Sequence, residues 1–498
     1  MNPDGVSYLD LATYAVAGEW RHVVNAFWSP LYPGLLAVAL AVVRPEPAAI
    51  FPLVHAVNFL VFLGALFCFE RFLDELLIKV RDRVNILVAF GYTLFGWATL
   101  RMIGLEVVTP DLLVATFTIA TVTVVLRIGR EPVGCRKFLL LGVLLGLGYL
   151  AKAPMLVFGI VSLVVCGWLY RRVALAACMF VLIAGSWVLA ISLAKGRPTI
   201  GDSARLNYAM FVNRVQYGVH WQDAQGAVHP TRKIGDNPAL YEFAQPIGGS
   251  YPAWFDPSYW YEGVPVQINL RAQLWTLWFT GSALIETIGD QWPLVIGILV
   301  LAGLGIAQQS GAGVWLWPVI ILAAVQPLLH LLVHIEMRYW AASNMLLWLG
   351  VLAGLRLPDR RVVNITTTVT LGILWAMLLT GLVRSPKADD LPVRVAAELR
   401  QIGIGAGAAV GHIGYSFHAA EWAYLARVKI IAELPTRDPD EFTNLDAARQ
   451  ADLMQRFGNC GVRAVIRWLP VGTMSGWQRL GETPYLIYLF PARAENNP

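Results

Sequence analysis

Apolar residues in this chain gather into runs close to the 17 to 25 residues, roughly, that carry a helix across a hydrocarbon core, separated by short stretches bearing Arg and Lys. The runs lie at about 49 to 70, 84 to 101, 110 to 127, 137 to 151, 155 to 170, 173 to 194, 290 to 307, 314 to 333, 339 to 355 and 362 to 383, which predicts roughly ten spanning helices. With each run crossing once, the loops bearing Arg71, Lys79, Arg81 and Arg83, then Arg127, Arg130, Arg136 and Lys137, then Arg171 and Arg172, then Arg356, Arg360 and Arg361 share one face. An excess of cations marks that face as cytoplasmic. Two further apolar stretches, 33 to 43 and 266 to 285, are expected to lie along the membrane surface, because counting either as a span would throw later Arg-rich loops outside. The first is too short to cross, and the second carries Asn269, Arg271 and Gln273 and ends at Glu286.

The other face then receives residues 1 to 48, the turn 101 to 109, the turn around Lys152, a loop from 195 to 289, the turn from His334 to Arg338, and everything after 384. The loop 195 to 289 is rich in Trp, Tyr, Pro and Gly (Pro252-Ala-Trp254, Pro257-Ser-Tyr259-Trp260-Tyr261), which predicts a partly ordered cap at the membrane surface. After 384 the pattern changes to a polar helix at 391 to 402, a helix at 419 to 426, and short strands at 408 to 413, 429 to 432, 464 to 467 and 485 to 490. The expected fold is an all-α polytopic membrane bundle over 1–383 carrying a small α/β domain over 384–498.

Composition narrows the classes. Of 498 residues 57% are hydrophobic and only 14% charged, against roughly a quarter charged in soluble chains, which excludes a cytosolic enzyme; runs of this length exclude a β-barrel. The net charge of +5 resides largely in short loops, where it sets orientation, so no nucleic-acid partner is expected. Cys68, Cys166 and Cys178 lie in apolar runs, Cys135 in a basic loop and Cys460 alone, which gives neither a metal-ligand spacing nor a disulfide framework.

Candidate chemistry concentrates on the face away from the Arg-rich loops. Asp4 opens the segment Pro3-Asp-Gly-Val-Ser-Tyr-Leu-Asp-Leu-Ala12; locally it is an N-cap for a helix over 5 to 17, functionally a carboxylate at the mouth of the bundle able to act as a general base. Asp10, two turns along, is expected to be solvated. Asp111, in Thr109-Pro-Asp-Leu-Leu113, suits an ordinary helix start as well as a site carboxylate, and Glu106 is a weaker candidate of the same kind. Lys152 ends a span, either snorkelling or binding a lipid phosphate. In the turn His334-Ile-Glu-Met-Arg-Tyr339, Arg338 is the stronger phosphate candidate, because a guanidinium forks onto phosphate oxygens. His330 and His334, at i and i+4 on one helix face, could ligate a divalent cation with Glu336, but no HExxH is present, and no metal residue is assigned.

These segments in order, Asp4 to Ala12, Gly18-Glu-Trp20, Trp28-Ser-Pro-Leu-Tyr-Pro33, Thr109 to Leu113, Gly146 to Pro154 and Arg338-Tyr339, resemble the GT-C glycosyltransferases over about the first 360 residues. The branch resembled is family 39, which holds protein O-mannosyltransferases and lipid A aminoarabinose transferases. The resemblance implies a polyprenyl-phosphate sugar donor and inverting transfer at the outer face of the membrane, and it leaves the acceptor open among glycan, lipid and protein; with the loop charges, the expectation is a protein of the bacterial cytoplasmic (inner) membrane with its C-terminal domain periplasmic. It also implies Asp4 as the catalytic base; read from the sequence itself, Asp111 is a second catalytic candidate, and Lys152, Arg338, Tyr339, Tyr8 and Glu106 are candidates for substrate binding. Two positions depart from the pattern. Ser7 stands where relatives have a basic residue, leaving the donor phosphate to Lys152 and Arg338, and Gly5 replaces an acid of the O-mannosyltransferases, which disfavours a protein acceptor. Because an outer segment such as 1 to 48 is usually delivered by a preceding span, one more helix is expected upstream of Met1. The competing class is a transporter or lipid flippase using the same acids and cations; the lack of an internal repeat and the large outer mass weigh against it.

Overall fold

Each of the ten apolar runs contains a helix in the computed structural model, which describes residues 3–80, 84–130, 134–169, 172–215, 231–243, 247–256, 266–305, 316–355, 357, 360–384, 390–415, 419–436, 438, 440–470 and 472–491. Arg81, Arg83, Arg171, Arg356 and the aromatic stretch 257 to 261 lie outside the described residues. In chain order the longer helices are α1 (Pro3–Ala17), α2 (Leu31–Val43), α3 (Ile50–Lys79), α4 (Val84–Gly96, running on through a π-helical segment Trp97–Ile103), α5 (Asp111–Arg130), α6 (Cys135–Ala151), α7 (Met155–Leu169) and α8 (Val173–Lys195). They continue with α9 (Leu270–Gly289), α10 (Trp292–Gly305), α11 (Trp317–Leu331), α12 (Ala341–Gly354), α13 (Arg360–Val383), α14 (Leu391–Gln401), α15 (Ala419–Ala426) and α16 (Ala447–Asn459).

Length separates these helices into two groups. Among the described residues, five have the length and composition to cross a membrane alone: Pro47–Ile78, Val84–Ile103, Asp111–Arg130, Val173–Lys195 and Arg360–Val383. Over the described residues α7 and α11 hold 15 residues each, about 22 Å at 1.5 Å per residue, against a core of about 30 Å. The segment expected to lie on the surface, α9, meets α10 at 76° rather than continuing it. Its Leu270, Leu274, Trp275, Trp278 and Phe279 are exposed, a face suited to lipid.

Two features fix the bundle. At the Arg-rich end the nearly buried Glu75 of α3 accepts from Arg127 Nε at 2.7 Å and Arg130 Nε at 3.1 Å, both on α5. Between α6 and α8, Gly142 and Gly146 let the backbones close in: a Cβ on Gly142 would stand 2.4 Å from the Ala176 carbonyl oxygen, and one on Gly146 2.7 Å from Ile183 Cβ. Gly142→Val is therefore expected to cost about 1–3 kcal/mol through overpacking, read as a lower melting temperature of the purified protein; an unchanged melting curve would show that the helices can part freely.

The polar tail forms the expected strands β3 (Ala409–Ile413), β4 (Lys429–Leu434), β5 (Ala464–Trp468) and β7 (Tyr485–Leu489), together with the short β6 (Gln478–Arg479). β4 and β5 run parallel to the central β3, each reached through a crossover carrying a helix, α15 and α16 respectively. The sheet also takes β1 (Thr231–Gly235) and β2 (Leu240–Phe243) from the loop before α9, β2 pairing antiparallel with β4, so the order is β1-β2-β4-β3-β5-β7-β6. The outer loop and the tail are thus parts of one sheet. The domain's helix α15 meets the first helix directly, Thr13 Oγ1 and Tyr424 Oη lying 3.0 Å apart.

Candidate active site

Four helix ends and one strap of loop converge on a cluster of three carboxylates and two cations. α1 is buried almost all round over Gly5–Ala12, the mark of a helix packed on several sides. Tyr8 fixes one of those sides, its ring meeting Trp28 and Tyr32 edge-on at 5.1 and 5.5 Å. Tyr32 Oη in turn donates to Asn58 Oδ1 at 2.8 Å, while Asn58 Nδ2 donates to the carbonyls of Leu105 and Val107 at 2.9 and 3.0 Å. Asn58 thereby holds the turn that leads into Pro110 and starts α5 at Asp111.

Asp4 is not the N-cap that local sequence suggests. It lies inside the first turn of α1, and its carboxylate reaches across the structure: Oδ1 accepts from Trp254 Nε1 at 3.1 Å and Oδ2 stands 3.4 Å from Arg338 Nη2. Asp111 is more deeply held. Its Oδ1 accepts from Lys152 Nζ at 2.5 Å, its Oδ2 from Thr109 Oγ1 at 2.7 Å, and Arg338 Nε is 3.5 Å from Oδ2. The two carboxylates therefore share Arg338 but differ in access, Asp4 keeping 27% of its side chain exposed and Asp111 1%.

Arg338 and Lys152 are braced by the same turn. Glu336 Oε2 accepts from Arg338 Nε at 2.7 Å, and its Oε1 accepts from Tyr339 Oη at 3.1 Å and lies 3.2 Å from His334 Nε2. Lys152 Nζ rests 4.0 Å from the centre of the Tyr339 ring, a cation–π contact. Glu106 does not join the cluster: it is exposed, its carboxylate folded over Gly104, and among the described residues no hydrogen bond or ion pair links it to Asp4 or Asp111.

Electrostatics differentiate the acids. Crowding by protein atoms raises the Asp4 carboxyl above its ordinary value and outweighs the opposing charge of Arg338. Burial also pushes Glu336 upward, but the His334 hydrogen bond and the Arg338 charge prevail and lower it to about 2. Burial, then the charges of Asp4 and Asp111, lift the Tyr8 hydroxyl well above the usual phenol value. The cluster thus offers a carboxylate of raised proton affinity in Asp4, a fixed anion in Glu336 and a protonated phenol in Tyr8.

Two expectations are corrected. α11 ends at Leu331, so His334 leaves the helix and stacks on Phe211 at 4.0 Å while His330 meets Tyr339 edge-on; the two histidines share no helix face. The described residues hold no group of three or more His, Cys, Asp or Glu placed to share a metal ion. Asp10 is not solvated: it is buried and accepts from Ser250 N and Ser250 Oγ, each at 2.8 Å. Burial raises its carboxyl to about 7 against those hydrogen bonds. Between pH about 4 and 7 the folded protein therefore holds a proton that the unfolded chain releases, and stability falls as pH rises through that window. Asp10→Asn, which can still accept from Ser250 N and donate to Ser250 Oγ, is expected to flatten this slope and raise the melting temperature at pH 8; an unaltered pH dependence would place the slope elsewhere.

Trp254, Ser250 and Thr109 are the contributors that sequence reasoning missed. The Pro252-Ala-Trp254 segment attracts notice by composition, but nothing local indicates that its indole faces a carboxylate 250 positions earlier.

No protein-family model and no curated protein matches the chain. Among solved structures it is similar to ArnT from Cupriavidus metallidurans in the apo state, at 13% identity over 98% of this chain and 93% of that one, with a TM-score of 0.42. The same protein bound to undecaprenyl phosphate aligns at 12% identity over the same shares, with a TM-score of 0.39. The oligosaccharyltransferase of Archaeoglobus fulgidus in complex with Zn and sulfate aligns at 10% identity over 94% of this chain and 64% of that one, with a TM-score of 0.49.

Proposed function

We propose that the protein is a membrane glycosyltransferase that moves a sugar from a polyprenyl-phosphate donor to an acceptor hydroxyl at the outer face of the cytoplasmic membrane, with inversion, using Asp4 as general base. The observation that carries this reading is the division of labour around Arg338. One accessible carboxylate with a raised proton affinity, Asp4, and one inaccessible carboxylate bound to Lys152, Asp111, sit on the same guanidinium at 3.4 and 3.5 Å. A polyprenyl phosphate is already a good leaving group, so the reaction needs a base for the acceptor and fixed cations for the phosphate.

In this reading the donor phosphate docks on Lys152 and the Arg338 fork. It competes with Asp4 for Arg338, and as that ion pair loosens Asp4 becomes more basic just when the donor is in place. Asp4 then takes the acceptor's hydroxyl proton while the acceptor oxygen attacks the anomeric carbon from the side opposite the phosphate. The bond from anomeric carbon to phosphate oxygen breaks, and the polyprenyl phosphate leaves with the electron pair. Asp111 and Glu336 keep the two cations aligned, and Tyr8, still protonated, is a donor for a sugar or acceptor oxygen. The segments resembling GT-C enzymes point to the same residues.

The test is the stereochemistry and fate of a labelled polyprenyl-phosphate sugar incubated with purified protein and membrane lipid or glycan acceptors. Product of opposite anomeric configuration, with release of polyprenyl phosphate, is expected. Retained configuration would remove the single displacement and Asp4's role in it.

A further inference from the structure

Residues 247–256 form a strap between the α/β domain and α1. On the domain side, Ile430 N of β4 donates to the Ser250 carbonyl at 3.0 Å, Tyr251 Oη donates to the buried Glu433 Oε1 at 3.0 Å, and Lys429 Nζ donates to the Ile247 carbonyl at 3.2 Å. On the α1 side, Ser250 is held by Asp10, Gly249 N donates to Tyr14 Oη at 2.9 Å, and Ser7 Oγ donates to the Trp254 carbonyl at 3.1 Å. The segment after α1 closes the arrangement, with Asn25 Nδ2 donating to the Phe255 carbonyl at 2.9 Å and Trp28 Nε1 to the Trp254 and Phe255 carbonyls at 3.2 and 3.1 Å. The turn admits only glycine at Gly249, where φ is +73° and a Cβ would lie 2.5 Å from Phe255 Cβ.

A strap fixed on three sides leaves the Trp254 indole little freedom, and its N–H points at Asp4. We propose that Trp254 is a positioning residue for Asp4 and that the docking of β4 on the strap sets the geometry of the base, an inference that rests on the glycosyltransferase reading above. The C-terminal domain then has a role in turnover without touching substrate: Glu433 and Ile430 hold Tyr251 and Ser250, these hold the turn, and the turn aims Trp254. A hydrogen bond to the ionised carboxylate also favours its charged form, so the strap affects both the orientation of Asp4 and the pH at which it can act.

Trp254→Phe keeps the ring and removes the donor. Asp4 is otherwise faced by Arg338, Glu336 and Tyr339 from the turn after α11, Lys152 after α6, Tyr8 from its own helix and Asp111 beyond Arg338; none of these is changed by the substitution. The acid limb of the kcat–pH profile is expected to move to higher pH and the plateau kcat to fall roughly tenfold, with the KM for donor within about twofold of wild type. Tyr251→Phe, which loosens the strap at the domain, should shift the limb the same way by less, and it carries the test if Trp254→Phe does not fold. Asp4→Asn, measured alongside, separates the two ideas. An inactive Asp4→Asn with an unmoved limb in the folded strap variants overturns the positioning role alone, whereas a fully active Asp4→Asn overturns the base and the positioning role together.

Discussion

Asp4→Asn is expected to fold, to bind donor close to wild type, and to lose turnover by a factor on the order of 10² to 10⁴, the usual worth of a positioned base. The contacts explain why the substitution is nearly isosteric here. An Asn oxygen still accepts from Trp254 Nε1, and Arg338 keeps its short bond to Glu336 and its approach to Asp111. What disappears is the carboxylate's charge, and with it the ion pair to Arg338 at 3.4 Å and the capacity to take a proton. Asp111→Asn is the informative contrast, because it removes the anion that Lys152 contacts at 2.5 Å and should act through donor binding and stability more than through the chemical step. Full activity of Asp4→Asn beside an inactive Asp111→Asn would move the base to Asp111.

Arg338→Ala carries the second large effect, and on two readouts. The side chain is 13% exposed and stands within 3.5 Å of Asp4, Asp111 and Glu336. Its removal leaves three carboxylates facing one another with Lys152 as their nearest remaining cation, a change that costs about 3–5 kcal/mol where a buried pair is broken. Donor affinity is expected to fall by roughly 10² or more, since both the charge and the fork that would hold the phosphate are gone. Arg338→Lys should recover much of the stability and only part of the affinity, because an ammonium supplies a point charge without paired donors. The measurements are melting temperature and equilibrium binding of polyprenyl phosphate to purified protein. Donor affinity unchanged in both variants would reduce Arg338 to a structural anchor.

Much of this site is legible from sidedness. Counting Arg and Lys in the short loops assigns Asp4, Asp111, Lys152 and Arg338 to one face although they are separated by up to 334 positions, and the structure brings all four within one cluster. Periodicity likewise locates the helices and most strands of the tail, because burial in lipid or in a sheet imposes a pattern on consecutive residues. What escapes is set by contacts that leave no local trace. β2 pairs with β4, Tyr241 with Glu433 and Glu242 with Ala432, so distant in sequence that the loop 195 to 289 gives no sign of belonging to the tail's sheet. Asp10 lies on a helix whose outward face is covered by the strap, and its partner Ser250 is an ordinary loop residue. His334 sits at helical spacing from His330, yet the helix stops three residues before it. Among the described residues α7 and α11 hold 15 residues each, fewer than a full span takes.

Breakage of the glycosidic bond to phosphate at this cluster is read by following the label of a polyprenyl-phosphate sugar in vesicles containing the purified protein, with acceptor supplied outside. Wild-type protein is expected to move the label from donor to acceptor and release polyprenyl phosphate, and Asp4→Asn to bind the donor without moving the label. Label that stays on the donor lipid while crossing the bilayer would contradict this and make the protein a lipid transporter.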